Sequence, residues 1–323
     1  MKSIGRTTRK EVFLMHILNF GSLNIDRSYV VPHLVREGET LSSVEMKVTC
    51  GGKGLNQSIA LARAGLLVSH AGKIGTDGLF LLDKLKESGV DVSLVTITEE
   101  SVTGHAVIQV DMAGRNSIVL YGGANQAITR EEADRVLAHF GPGDWLFLQN
   151  EVSCLPYIIC AASRRGMTVV LNPSPLDDTL LHMELDGVSW FILNEIEGEG
   201  LAGEREPERI CAKLQARWPG SKVILTLGEQ GAVCSDGDSY YRQECFPART
   251  VDSTAAGDTF TGYFFAALCR GRSPQEALEQ AGMAAALAVS RRGAAASIPT
   301  QAEVDRALTV WHQNANSSGL FAQ

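Results

Sequence analysis

Between Thr250 and Phe260 the chain reads Thr-Val-Asp-Ser-Thr-Ala-Ala-Gly-Asp-Thr-Phe, and an apolar stretch follows at once. Small residues at the start of a helix let the backbone close around a phosphate, and the unpaired N–H groups of the first turn point at negative charge. Ala255, Ala256 and Gly257 would form such an anion hole. Asp258 falls in the same first turn, where its carboxylate can take the proton of an incoming hydroxyl. The plainer role for such an Asp is a helix cap. A second glycine-dense turn, Gly51-Gly52-Lys53-Gly54-Leu55-Asn56, also leads into a helix. No Ser or Thr follows Lys53, so it is not a Walker-type phosphate loop. Gln57 stands where the dinucleotide fingerprint needs its last glycine. What remains is a turn that lets the backbone approach a ligand closely, or a tight turn with no ligand.

The elements that must position these turns show in the hydrophobic pattern. Apolar runs predict strands over 16–21, 145–149, 168–172, 190–194 and 222–227. Helical patterns cover 56–64, 131–139, 156–165, 257–270 and 274–290. Alternation of this kind predicts a mostly parallel sheet with helices on both faces. Val44, Met46 and Val48 alternate with Glu45, Lys47 and Thr49, and similar short strands fit 106–111 and 117–121. Those half-polar strands predict a small separate sheet. Ser22–Asp26 reads as a turn after the first strand, and Asn24 and Asp26 suit Asx-turn chemistry.

Composition removes several function classes. A net charge of −8 gives no electrostatic reason to expect nucleic acid or an anionic membrane as partner. No run approaches the ~20 apolar residues of a membrane span. The 7 cysteines are an odd number with no C-x-x-C, which predicts free thiols in a reducing cytoplasm. The histidines are dispersed without zinc-site spacing. Residues 1–14 are basic but lack the apolar core of a signal peptide, and read as an extension. The folded unit is expected over 15–312, followed by a polar tail over 313–323 that frays.

Gly21-Ser22-Leu23-Asn24-Ile25-Asp26, the Gly51–Asn56 loop and Asp252–Phe260 occur in one order along the chain. Between them lie Ile74–Gly78, Thr103-Gly104, Gly123-Ala124-Asn125, Asn172-Pro173, Asn194-Glu195-Ile196-Glu197 and Thr226–Gly231. Together, from Met15 to Pro299, they resemble the ribokinase-like carbohydrate kinases, also called the PfkB family. The resemblance implies ATP-dependent phosphorylation of a primary hydroxyl, with D-ribose as the first expectation. Another pentose, a ketohexose or a nucleoside is the alternative, and a non-catalytic sensor the remote one. It implies an α/β fold, a three-layer α/β/α sandwich with a mostly parallel central sheet. A small β-sheet lid is expected over about 27–50 and 104–122.

The resemblance also assigns residues. The sugar is expected between Asn24, Asp26, Gly52, Lys53, Asn56, Glu151 and Asp258, with Asp258 as base. A carboxylate such as Asp26 can accept from two neighbouring hydroxyls at once. ATP is expected against Asn194, Thr226, Gly228, Gly231 and Gly257. Asn194 and Glu197 are implied for Mg²⁺, partly through water, as suits an ion that keeps its hydration. On residue type alone, Glu195, Glu197 and Glu199 also fit a solvated acidic helix. A K⁺ site is implied at Asp252, Thr254, Ala288, Arg291, Gly293 and Ser297, mostly through carbonyl oxygens. One departure stands out: the family often has an Asn near the adenine, but here that stretch is Ala281-Gly282-Met283-Ala284. Open strand edges in the lid suit a homodimer.

Overall fold

The structure is a computed structural model that describes residues 15–317, with side chains to Asn314. The extension expected over 1–14 lies outside the described residues. So do residues 318–323 of the expected tail.

The chain opens with β1 (Ile17–Phe20), β2 (Asn24–Val31) and β3 (Glu45–Gly51), then α1 (Lys53–Arg63) and β4 (Val68–Gly75). It continues through α2 (Leu79–Glu87), β5 (Asp91–Thr98), β6 (Gly104–Asp111) and β7 (Asn116–Tyr121). From there helices and strands alternate: α3 (Arg130–Leu137), β8 (Trp145–Gln149), α4 (Leu155–Arg164), β9 (Thr168–Asn172), α5 (Asp178–Leu181) and β10 (Trp190–Asn194). Next come α6 (Glu195–Ala202), α7 (Pro207–Arg217), β11 (Lys222–Thr226), β12 (Ala232–Ser235) and β13 (Tyr240–Gln243). The helices α8 (Ala256–Cys269), α9 (Pro274–Val289), α10 (Ala294–Ser297) and α11 (Gln301–Ser317) complete the described chain.

The large sheet runs β13-β12-β11-β10-β9-β8-β1-β4-β5. It is parallel from β11 to β5, and β12 and β13 add an antiparallel edge. Both faces are covered at its centre, which is why β8, β9, β10 and β11 read as apolar runs. Successive side chains enter opposite cores. Phe147, Trp190, Ile192 and Ile224 join the core built with α1, α8 and α9, while Leu146, Leu148, Phe191, Leu193 and Leu225 join the other. Full burial of one such side chain is worth about 1.5–3 kcal/mol, so these runs dominate the stability of the layered unit.

The second sheet is small, ordered β3-β2-β6-β7. Its pairing sets Asp26 beside Thr49 and Ala106, so these share a face, while Arg27, Val48 and Val107 share the other. Val48, Ile118, Val119 and Tyr121 are exposed on it. The expected alternation is therefore present, but β7 buries neither face within one chain and β3 is buried only at its end, at Gly51.

Two expectations change. The segment read as a turn from Ser22 to Asp26 instead enters β2 at Asn24, because register with β3 and β6 overrides local Asx preference. Residues 313–317, expected in a fraying tail, continue α11. The preceding turn is held in place: the ring of Trp311 packs edge-on against Phe246 at 5.1 Å, and His312 lies 3.2 Å from Glu279.

Candidate active site

Four pieces of chain converge where the two sheets meet: the start of β2, the β3–α1 turn, the end of β8 and the start of α8. Asp258 sits in the first turn of α8. Its Oδ2 accepts from Asn56 Nδ2 at 3.0 Å and its Oδ1 from Gln57 Nε2 at 3.0 Å. Helix α1 can present both amides because it lies very close to α8 at Gly262. A Cβ on Gly262 would come within 3.0 Å of the Ala60 side chain and backbone.

The start of α8 is unusual. Ala255 holds a left-handed backbone, φ 61°, and offers no side-chain cap. Such a φ is costly for a residue with a Cβ. By contrast α3 and α9 each carry a full capping box. Ala256 and Gly257 line a cleft of about 740 Å³. The helix end therefore faces that cleft with small residues and no capping side chain, an arrangement suited to an anion.

The polar cluster lies on the other side of Asp258. Gly52, at φ 97°, turns the chain from β3 into α1 and brings Lys53 beside Glu151. Lys53 N donates to Glu151 Oε2 at 3.2 Å, and Nζ lies 3.9 Å from Oε1. Ser22 Oγ donates to Oε2 of the same carboxylate. Asp26 sits against Gly51, where a Cβ would fall within 3.0 Å of its carboxylate. The Oδ1 of buried Asn24 accepts from Asn125 Nδ2 at 2.8 Å. Asn56 Oδ1 is buried with no hydrogen-bond partner among the described residues. A buried carbonyl oxygen left open in a cluster of donors and carboxylates suits a ligand hydroxyl.

Burial pushes the Asp26 carboxyl up to about 6, with the charge of Glu151 adding to it and Lys53 opposing. Burial also raises Glu151, against the pull of Lys53 and Ser22. For Asp258 burial again raises the pKa, while Lys53, Gln57 and Asn56 lower it and Glu197 adds to the rise. Burial alone would lower Lys53, but Asp258, Glu151, Glu197 and Asp26 together leave it above its ordinary value. The site is therefore one cation among four carboxylates, short of positive charge.

Across the cleft, Asn194, Thr226, Gly228 and Gly231 form the rim. Gly231, at φ 90°, lies so close to β13 that a Cβ would meet the backbone of Gln243 and Cys245 within 3.0 Å. The far wall is apolar, made by Phe246, Gly282 and Val289. The residues that α9 gives to the cleft, Gly282, Ala285, Ala286 and Val289, carry no side-chain amide.

Asn194 and Glu197 form the capping box of α6: Glu197 N donates to Asn194 Oδ1 at 2.8 Å, and Asn194 N to Glu197 Oε2 at 3.0 Å. Each side chain keeps acceptor capacity beyond that bond. Their hard oxygens fit a hydrated Mg²⁺, and no cluster of three acidic, His or Cys side chains able to cage a metal exists among the described residues.

Asp252 ties the turn before α8 to the loop after α9. Its Oδ1 accepts from Thr254 N at 2.9 Å and Thr254 Oγ1 at 2.6 Å, and its Oδ2 from Gly293 N at 2.9 Å. Arg291 N donates to Ala288 O at 3.0 Å, and Ser297 Oγ to Ala294 O at 2.8 Å. The residues expected to hold K⁺ thus lie on two segments already joined through one carboxylate.

Reasoning from residue types missed Ser22, Gln57 and Asn125. Gln57 lies in the stretch Gly54–Leu61 of α1, buried throughout in the folded chain, so its polar members must find partners inside. Asn125 is also buried, and its Oδ1 accepts from Leu23 N at 3.0 Å. Thr103 joins two further segments of the pattern, donating through N and Oγ1 to Asp77 Oδ1 at 2.9 and 2.7 Å just before β6 begins in the small sheet.

Three comparisons bear on this geometry. A ribokinase of Staphylococcus aureus is 36% identical over 304 residues, covering 90% of this chain and 98% of that protein. The crystal structure of a Cryptococcus neoformans ribokinase in complex with ADP superposes with a TM-score of 0.79 at 34% identity, covering 90% of this chain and 98% of that one. An Arabidopsis thaliana ribokinase complexed with ribose and ATP superposes with a TM-score of 0.79 at 29% identity and the same coverages. The profile of the pfkB family carbohydrate kinases matches residues 15–301. This chain belongs to the pfkB family of carbohydrate kinases.

Proposed function

We propose that the protein transfers the γ-phosphoryl group of ATP to the primary hydroxyl of D-ribose, giving D-ribose 5-phosphate. The observation that carries this is the position of Asp258. It stands between an uncapped helix end that faces a nucleotide-sized cleft and a cluster of amides and carboxylates suited to sugar hydroxyls. The ribose-and-ATP complex of the Arabidopsis relative supports the choice of substrates.

In this account Asn24, Asp26, Asn56 and Glu151 bind and orient the sugar, with the backbone of Gly52 and Lys53 beneath it. Asp258 accepts the hydroxyl proton. Burial raises its pKa, so it is a somewhat stronger base than an ordinary carboxylate, yet too weak to ionise an alcohol in advance. Proton transfer is therefore late, and most of the rate comes from positioning and charge balance. The N–H groups around Ala255–Gly257 and the Lys53 ammonium offset charge on the transferred group. Thr226, Gly228 and Gly231 hold the nucleotide side. When bound through Asn194 and Glu197, Mg²⁺ would neutralise phosphate charge. K⁺ between Asp252, Thr254 and the 288–297 loop would stiffen the turn that carries the anion hole.

The small sheet acts as a lid that excludes water, and its exposed Met46, Val48, Val119 and Tyr121 are the surface for a second copy. All seven cysteines are free, in keeping with a cytoplasmic enzyme. The test is ADP release with Mg²⁺ and K⁺ across D-ribose, 2-deoxyribose, fructose and several nucleosides. A kcat/KM maximum on ribose supports the proposal; a maximum on any other compound, or no sugar-dependent release, overturns it.

A further inference from the structure

We infer that Gln57 is the residue that orients the Asp258 carboxylate, and that Gln149 and Asn19 behind it dictate which end of the Gln57 amide faces that carboxylate. The inference rests on the kinase account of the site. Gln57 is buried in α1, with Nε2 on Asp258 Oδ1 at 3.0 Å. Its Oε1 accepts from Gln149 Nε2 at 2.6 Å. The same Gln149 nitrogen donates its other hydrogen to Asn19 Oδ1 at 3.1 Å. Asn19 Nδ2 in turn donates to Gly54 O at 2.7 Å and to Ser58 Oγ at 2.8 Å, and Ser58 Oγ lies 2.7 Å from His70 Nδ1.

Every amide in this chain has one orientation that works. Flipping Gln149 would set its oxygen against two acceptor oxygens, and flipping Gln57 would set its oxygen against Asp258. The arrangement leaves Gln149 Oε1 buried without a partner among the described residues. An orphaned buried carbonyl is destabilising, and a core side chain would usually be arranged to avoid it. Here the orphan is the consequence of pointing both Gln149 hydrogens toward Asn19 and Gln57. The donors run both ways from Gln149: through Gln57 to Asp258, and through Asn19 to Ser58 beside a fully buried His70, held neutral because burial pushes its pKa down to about 4. Asn56 and Gln57 then occupy one lone pair on each carboxylate oxygen, which fixes the plane of the group and leaves the remaining lone pairs for the sugar hydroxyl.

Gln57 makes no assigned contact with sugar or nucleotide, so it acts through Asp258 as a positioning residue. The test is Gln57→Glu, which keeps the shape and replaces the donor by an acceptor. The ionisable groups facing Asp258 are Lys53 from α1 and Glu197 from α6, with Glu151 after β8 beside Lys53. A new carboxyl there must carry a proton before it can donate to Asp258. At pH 7.5 we expect kcat to fall roughly 10- to 100-fold with the ribose KM within roughly threefold of wild type. As pH is lowered toward 6, kcat of the variant should rise relative to wild type, because the protonated carboxyl restores the donor. Gln149→Leu, which frees the Gln57 amide to flip, should lower kcat roughly 3- to 10-fold without that pH response, and covers the case in which Gln57→Glu does not fold.

A folded Gln57→Glu enzyme with kcat within threefold of wild type overturns the inference, as does a loss shared by kcat and KM with the wild-type pH profile. If only Gln149→Leu folds, undiminished kcat in it overturns the inference. Wild-type protein that releases no ADP with any sugar overturns the kinase account itself, and the inference with it.

Discussion

Gly51→Ala isolates the sugar side of the site. The backbone of Gly51 is not left-handed, so alanine can adopt it, and strain in the strand is not the issue. The added Cβ would lie within 3.0 Å of both Asp26 carboxylate oxygens, and β3 cannot retreat because Gly51 is paired with Asn24 in the sheet. Asp26 must swing by about 1 Å to reach ordinary contact. Hydrogen bonds to a charged group are worth about 1.5–3 kcal/mol each, so losing one of them raises the ribose KM roughly 10- to 150-fold. The ATP KM should stay within about twofold, because the nucleotide cleft lies across α8 from Asp26. The assay is initial-rate ADP formation with ribose varied at saturating ATP. A ribose KM within threefold of wild type would refute the placement of Asp26 on the sugar. In Gly51→Ala/Asp26→Asn the two losses should not add, since both remove the same contacts.

Asp26→Asn should separate stability from function. The Asp26 carboxyl is raised from 3.8 to about 6 on folding, so the folded state favours its protonated form. That contribution is present in full below the unfolded value and is lost as pH rises through about 6, which makes the ionised carboxylate a cost of about 3 kcal/mol at most at neutral pH. The variant should therefore melt higher than wild type at pH 7.5, lose that advantage by about pH 4, and bind ribose poorly throughout. Equal melting temperatures at both pH values would contradict the electrostatic account. For the same reason the wild-type ribose KM should climb as pH falls below about 6, read from rates at fixed ATP. Gly262→Ala should wedge α1 from α8, lower stability by about 1–3 kcal/mol in urea unfolding and reduce kcat; an unchanged unfolding midpoint would show that the helices have room to part.

The centre of the large sheet was legible because β8, β9, β10 and β11 are buried on both faces. WLFLQ, TVVLN, WFILN and KVILT each announce themselves as apolar runs. The strand β4, Val-Ser-His-Ala-Gly-Lys-Ile-Gly, carries no such run, because His70 and Lys73 satisfy interior partners instead of filling the core. β2 was hidden for the opposite reason. Asn24 and Asp26 look like turn residues, and only pairing with β3 and β6 makes them a strand that presents polar groups to a ligand. Asp258 could be named from a turn of small residues before a helix, whereas Lys53 and Asn56, in a glycine-dense turn, took their roles only from the family resemblance. Gln57 entered the sequence reading only as the residue that breaks a dinucleotide fingerprint, since nothing local says that its partners are Gln149, 92 positions away, and Asp258, 201 away.

The most direct test of the central claim is the product itself, made by wild type and by Asp258→Asn from MgATP and D-ribose with K⁺ present and followed by ³¹P NMR. Wild type should give one equivalent of ADP per sugar phosphorylated, with the new phosphorus coupled to the two C5 protons. Asp258→Asn should bind ribose and nucleotide yet form that product about 100- to 10,000-fold more slowly. Phosphorylation at another carbon, or near-normal turnover without the Asp258 carboxylate, would contradict the account.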